Sequence, residues 1–157
     1  MRIPRFGLSY ILIALIAATA LVSCNHYMST YDQFAYAQTT SLKVDVLNLI
    51  DQSNESYASH QKEVDEVVSK MLKALEYEKH RPKNSITSRM WEKMIDSTQQ
   101  KGIVGSYLAS WKRAGTKGRA VIEEYKPLVS EGFDLIAELE SQKIKASDAG
   151  ISKFLNK

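Results

Sequence analysis

The sequence predicts an all-α protein, an elongated helical bundle of three main helices with the first one long and coiled-coil-like. Three observations carry this expectation. No alternating apolar and polar pattern runs for more than a few positions, so no strand is visible. Apolar residues recur instead at intervals of three, four and seven. Two breaks, one around Pro82 and one at Gly115-Thr116-Lys117-Gly118, divide the body of the chain into three parts. The chain has 157 residues, of which 44% are apolar and 25% charged, with 7 Gly and 3 Pro. That composition suits one folded domain and excludes collagen-like and disordered classes.

The first segment stands apart from the bundle. Arg2 and Arg5 give a short positive start, and Leu8 to Val22 carry no charge. A helix of about 15 residues rises roughly 22 Å, short of the roughly 30 Å hydrocarbon core, so a signal peptide fits better than a permanent span. The segment ends Leu21-Val22-Ser23-Cys24. This resembles the lipobox of bacterial lipoproteins. The resemblance implies cleavage before Cys24, lipid on its sulfur and acylation of the new amino terminus. It gives a signal peptide over 1–23, a lipidated tether over 24–30 and a helical domain over 31–157. Two or three acyl chains hold a protein to a bilayer where one holds it only marginally. No cofactor beyond that covalent lipid is expected. Cys24 is the sole cysteine, so the domain has no disulfide to lean on and depends on its core. Asn25 stands where Asp favours inner-membrane retention in lipoproteins of this kind. The expectation is therefore the outer membrane, facing the periplasm.

The first main helix is expected from Ser29 or Thr30 to about Glu78. Tyr27, Tyr31 and Phe34 start it, and Leu42, Val46, Leu49 and Ile50 extend its stripe. Ile50, Tyr57, Val64 and Met71 then repeat every seven residues. Asp51 to Lys62 has one large apolar residue, Tyr57, so the helix either runs on partly solvated or breaks there. The absence of Gly and Pro favours continuity. Lys79-His80-Arg81-Pro82 is a stop, because cations suit a helix C-terminus and Pro82 cannot continue the ladder. Asn84 or Ser85 is the expected cap of a second helix, carrying Ile86 to Trp111 and ending at Gly115. A third runs from Val121 to Leu139, with Pro127 expected to kink or restart it. Ser147 or Asp148 would cap a short last helix with Ile151, Phe154 and Leu155.

Loss of Arg2 and Arg5 with the signal leaves 19 basic against 18 acidic side chains, a charge of +1. Nothing in that balance steers the domain toward nucleic acid, so no nucleic-acid partner is expected. His26, His60 and His80 lack a partner at metal-ligand spacing; His60 and Glu63 make only half of a carboxylate metal motif. No nucleophile elbow and no phosphate loop occur, so neither an enzyme nor a metal site is expected. Gly102, Gly105 and Ala109 read as small residues for close helix packing.

The one distinctive stretch lies between Asp96 and Glu123, which enclose no acid but hold Lys101, Lys112, Arg113, Lys117 and Arg119. Trp111 with Lys112, Arg113, Lys117 and Arg119 is the candidate contact for an anionic group or a partner protein, because cations beside an aromatic suit phosphate, lipid headgroups or acidic peptide. The structural alternative pairs these cations with Asp51, Glu55, Glu63, Asp65 and Glu66. The resulting expectation is a membrane-anchored envelope lipoprotein acting as a non-catalytic binding or scaffolding module with an envelope-protein partner. Two alternatives stand beside it. One is a structural tether to peptidoglycan, since Lys157 resembles, in that single feature, the terminal lysine of short coiled-coil lipoproteins joined to the wall. The other is an immunity or exclusion lipoprotein.

Overall fold

A computed structural model describes residues 29–97, 102–142 and 144–156. Cys24, the lipobox residues Leu21, Val22 and Ser23, Lys101 and Lys157 lie outside the described residues. Among the described residues six α-helices follow one another: α1 (Gln33–Asp51), a 3-10 turn (Gln52–Asn54), α2 (Tyr57–His80), α3 (Ser85–Ile95), α4 (Val104–Ala114), α5 (Arg119–Glu140) and α6 (Ala149–Asn156). Among the described residues there is no strand, and no helix is long and apolar enough to cross a membrane.

The long first helix is broken in two. Gln52 to Ser56 is a run of five polar residues, and Ser53 turns its hydroxyl onto the Ile50 carbonyl at 2.6 Å. Short polar side chains that bond nearby backbone compete with the helix ladder, so a break needs neither Gly nor Pro. Glu55 and Ser56 are extended, and the chain reverses. The cross-links give the direction: Tyr77 hydroxyl donates to Asp32 at 2.6 Å and Lys70 to Asp45 at 2.8 Å. The beginning of α1 thus lies beside the end of α2, as in an antiparallel hairpin.

On its other flank α1 packs against α5, also antiparallel. Lys43 meets Asp134 at 2.6 Å and Lys126 meets Asp51 at 2.8 Å. Leu42, Val46, Leu49 and Ile50 of α1 are buried with Val64, Val67 and Met71 of α2 and Ile122, Val129, Phe133 and Ile136 of α5. The three long helices are therefore α1, α2 and α5, a different set from the expected three.

The second expected helix is also divided. Helix α3 ends at Ile95, and α4 starts again at Val104 against it, with Ile103 N–H donating to the Lys93 carbonyl at 3.1 Å. Ser97 to Gly102 contributes no large apolar side chain, so a continuous helix would bury nothing there. Glycine makes the close return feasible. A Cβ at Gly105 would fall inside the backbone carbonyl of Ile95, and one at Gly102 inside that of Asp96. Pro127, by contrast, sits inside a continuous α5. It lies on the exposed side of the helix, as does Glu123, whose carbonyl is the one that a proline four residues on leaves without an N–H.

Caps follow local chemistry. Asp32 caps α1, accepting from Phe34 N–H at 2.8 Å and Ala35 N–H at 3.0 Å, three residues beyond the expected Ser29. Arg81 is extended, as a residue before proline prefers, and α2 stops at His80. Asn84 holds the N-cap position of α3 but spends its amide on Glu78 instead. Asp148 caps α6 through Gly150 N–H at 2.7 Å.

Gly105→Ala is expected to lower stability by about 1–3 kcal/mol through overpacking at the α3–α4 return. A reduced urea midpoint with unchanged far-ultraviolet circular dichroism would bear this out; an unchanged midpoint would contradict the close approach.

Candidate functional site

The acid-free stretch folds into one end of the bundle. Gly115 ends α4 with φ +80°, a left-handed conformation that glycine adopts without strain, and its N–H closes on the Trp111 carbonyl at 2.8 Å. The loop is then stitched to the α1–α2 turn. Tyr57 N–H donates to the Gly115 carbonyl at 2.7 Å, and Lys117 N–H to the Ser53 carbonyl at 2.7 Å. Tyr107 and Ser53 share a hydroxyl bond of 2.5 Å. Ser53 donates its own proton to Ile50, so Tyr107 is the donor.

Trp111 does not belong to a contact surface. It is fully buried, its indole N–H donates to the Glu55 carbonyl at 3.1 Å, and its ring meets Tyr57 edge-on at 5.3 Å. Its place in the sequence beside Lys112 marks a helix stripe whose aromatic side faces inward. Tyr107 is buried in the same way.

Lys112, Arg113 and Arg119 are exposed and Lys117 is half-buried; four of the five expected acidic partners are engaged elsewhere, while Asp65 lines the same groove as Lys112 without an ion pair to it. Asp51 holds Lys126, Glu55 and Glu63 hold His60, and Glu66 holds Lys62. Arg119 pairs with Glu123 of its own helix at 2.9 Å. Among the described residues, Lys112, Arg113 and Lys117 have no carboxylate in ion-pair contact. Lys112 instead lies over the Tyr57 ring at 5.9 Å and Lys117 over the Tyr107 ring at 5.7 Å. Burial, and after it the charge of Arg113, lowers the Lys117 pKa. The loop therefore gathers four cations, three of them without an ion pair among the described residues. Positive charge arranged this way is chemically suited to an anionic group, an attraction that salt screens.

Beside the loop, Glu55 and Glu63 bracket His60, with Nε2 to Glu55 at 2.9 Å and Nδ1 to Glu63 at 3.4 Å. The Glu55 contact, ahead of that from Glu63, raises the His60 pKa. The carboxylates occupy opposite ring nitrogens, so the three groups do not converge on one point. Among the described residues no cluster of three or more His, Cys, Asp or Glu is arranged to hold a metal.

A second ionic cluster, which the sequence reading missed, lies at the opposite end of α1. Glu78 and Glu140 are both buried and share Arg81, whose Nη1 donates to Glu78 at 2.8 Å and to Glu140 at 2.5 Å. Asn84 also donates to Glu78, and Thr87 to Glu140 at 3.1 Å. Arg81 Nη2 reaches the Thr30 carbonyl at 2.8 Å. Burial, followed by the nearby Glu140 charge, raises the Glu78 pKa to about 7. The only hint in the sequence was position: Glu78 falls on the apolar face of α2, seven residues after Met71. No known protein family, no curated protein and no solved structure matches this chain.

The Glu78 shift fixes the sign of a pH dependence. A carboxyl whose pKa rises on folding favours the native state when protonated. Its stabilising effect is full below about 4.5, declines as pH rises and is gone above about 7. His60, also raised, adds stability below 6.5 that is lost at higher pH. Unfolding free energy is thus expected to fall between pH 5 and 8, with Glu78 contributing up to about 3 kcal/mol of the change. In Glu78→Gln, whose amide oxygen keeps both acceptor bonds, the decline should flatten to the part owed to His60. Denaturant titrations across this range test it, and an equally steep decline in the variant would contradict it.

Proposed function

We propose that this chain is a non-catalytic binding or scaffolding module, held to a bacterial envelope membrane by lipid on Cys24, whose partner docks on the loop of Lys112, Arg113, Lys117 and Arg119. The observation that carries this reading is the pairing of two opposite ends. The chain enters the bundle at Ser29, ahead of α1, while the basic loop sits on the turn that follows α1. A helix of 19 residues separates them by roughly 28 Å. An anchor at the entry would leave this basic loop at the end away from the bilayer. The partner fitting that loop is an envelope protein with an acidic surface, and the outer membrane facing the periplasm is the proposed location.

Two experiments test this. Cys24→Ser should move the protein from the membrane to the soluble fraction, and persistence in the membrane would contradict lipid anchoring. Replacing Lys112, Arg113, Lys117 and Arg119 together by Gln should leave thermal unfolding nearly unchanged, because all four lie outside the core. It should abolish crosslinked capture of the partner from living cells, and capture by the wild type should weaken with salt. Capture at wild-type level would exclude the loop as the contact. Recovery in a muramidase-released wall fraction, with no protein partner, would favour the tether instead.

A further inference from the structure

The end of the bundle where the chain enters carries exposed aromatic side chains with no partner among the described residues to cover them. Tyr31 is 52% exposed and Phe34 59%. Tyr31 stacks loosely on Tyr36 at 6.4 Å, and Phe34 meets Tyr77 edge-on at 5.1 Å. Three of these four rings carry hydroxyls, that of Tyr77 bonded to Asp32, and such amphipathic rings are enriched where hydrocarbon meets headgroups. Lys73 and Lys83 are exposed at the same end and have no ion pair among the described residues. Lys73 precedes Tyr77 by one turn on the same face of α2.

The chain outside the described structure names the occupant. It ends at Met28, directly before this face, and on the anchored reading it begins at Cys24, the residue that carries the lipid. From Cys24 to Ser29 five residues span at most roughly 17 Å. The entry point is held firmly: Arg81 grips the Thr30 carbonyl at 2.8 Å, and Tyr77 grips Asp32 at 2.6 Å. A short tether leaving a rigid point leaves few orientations to the domain.

We propose that this end of the bundle seats on the bilayer at headgroup depth, through Tyr31, Phe34, Tyr36 and Tyr77 with Lys73 and Lys83 toward lipid phosphate. The inference rests on the reading that the chain is membrane-anchored at its N-terminus, and it adds that the domain stands upright on the membrane, basic loop outermost.

The test uses full-length protein purified from membranes and reconstituted into phosphatidylcholine vesicles. A polarity-sensitive fluorophore is placed on a single introduced cysteine, Gln33→Cys beside the aromatic face or Thr116→Cys in the far loop. Nitroxide-headgroup lipid is then added as quencher. Quenching at position 33 should exceed that at 116 several-fold. Tyr31→Ser combined with Phe34→Ser should bring it down to the level at 116 while the protein still floats with the vesicles. Both replaced side chains are exposed, so the fold should be retained, which thermal unfolding checks. Equal quenching at the two positions in floating protein overturns the seat and leaves the anchor standing. Failure to float overturns the anchor and the seat together. Self-quenching at 33 that tracks protein density and ignores the nitroxide lipid assigns the face to a second copy of the chain, which also overturns the proposal.

Discussion

Five consecutive polar residues, Gln52 to Ser56, separate two apolar stripes, and the chain turns back there so that each stripe covers the other. The rest of the structure depends on that reversal. It brings Leu42, Val46 and Leu49 against Val64, Val67 and Met71, and makes α1 the central helix, flanked by α2 and α5. It also creates the surface that receives the basic loop, since Ser53, Glu55 and Tyr57 supply the backbone groups that Lys117, Trp111 and Gly115 need. Buried backbone groups must be paired, so the loop and the turn stabilise each other. Lys112 and Arg113 are exposed because the aromatic residues of α4, Trp111 and Tyr107, take the inward side of that helix.

At the other end a different constraint operates. Two buried carboxylates, Glu78 and Glu140, share one guanidinium that also lies 3.8 Å from Asp32, so the cluster carries an excess negative charge that protonation of Glu78 reduces. Buried ion pairs of this sort add little net stability against an apolar replacement, but removing one partner costs several kcal/mol. Their location suggests what the arrangement does. Arg81 joins the end of α2, the end of α5 and the backbone at Thr30, so the same group that neutralises the cluster fixes the point where the chain enters the fold. The path of the chain into α1 and the packing of α2 on α5 are thereby coupled through one side chain.

Much of the helical content was legible because it rests on local chemistry. The stop at His80 before Arg81-Pro82, the left-handed Gly115, the Asp148 cap and the apolar faces of α1, α2 and α5 all follow from residue type and spacing. What sequence reasoning missed depends on tertiary gain. A polar stretch without Gly or Pro looks permissive for a helix, yet a straight helix through Gln52–Ser56 would leave both flanking stripes without partners. The same holds at Ser97 to Gly102, where the small residues Gly102 and Gly105 are the visible clue but sequence alone assigns them to close helix packing. For the candidate site, the four cations were visible as a charge pattern, whereas the burial of Trp111 was not. An aromatic beside a lysine on a helix points to the opposite face as readily as to the same one. The Glu78–Arg81–Glu140 cluster joins residues 59 positions apart, and no local pattern encodes it.

The claim on which the whole account turns is the fold-back between α1 and α2, because it decides whether the basic loop and the chain entry lie at opposite ends. Spin labels on Ala37→Cys and Lys73→Cys, in a Cys24→Ser background, measure it directly by double electron–electron resonance. Both positions are exposed and neither touches the ionic cluster. The fold-back places their backbones about 10 Å apart, one interhelical spacing. A continuous helix through residues 52–56 would separate them by roughly 54 Å. A short distance upholds the hairpin and the two-ended arrangement built on it; a distribution centred near the long value would contradict both.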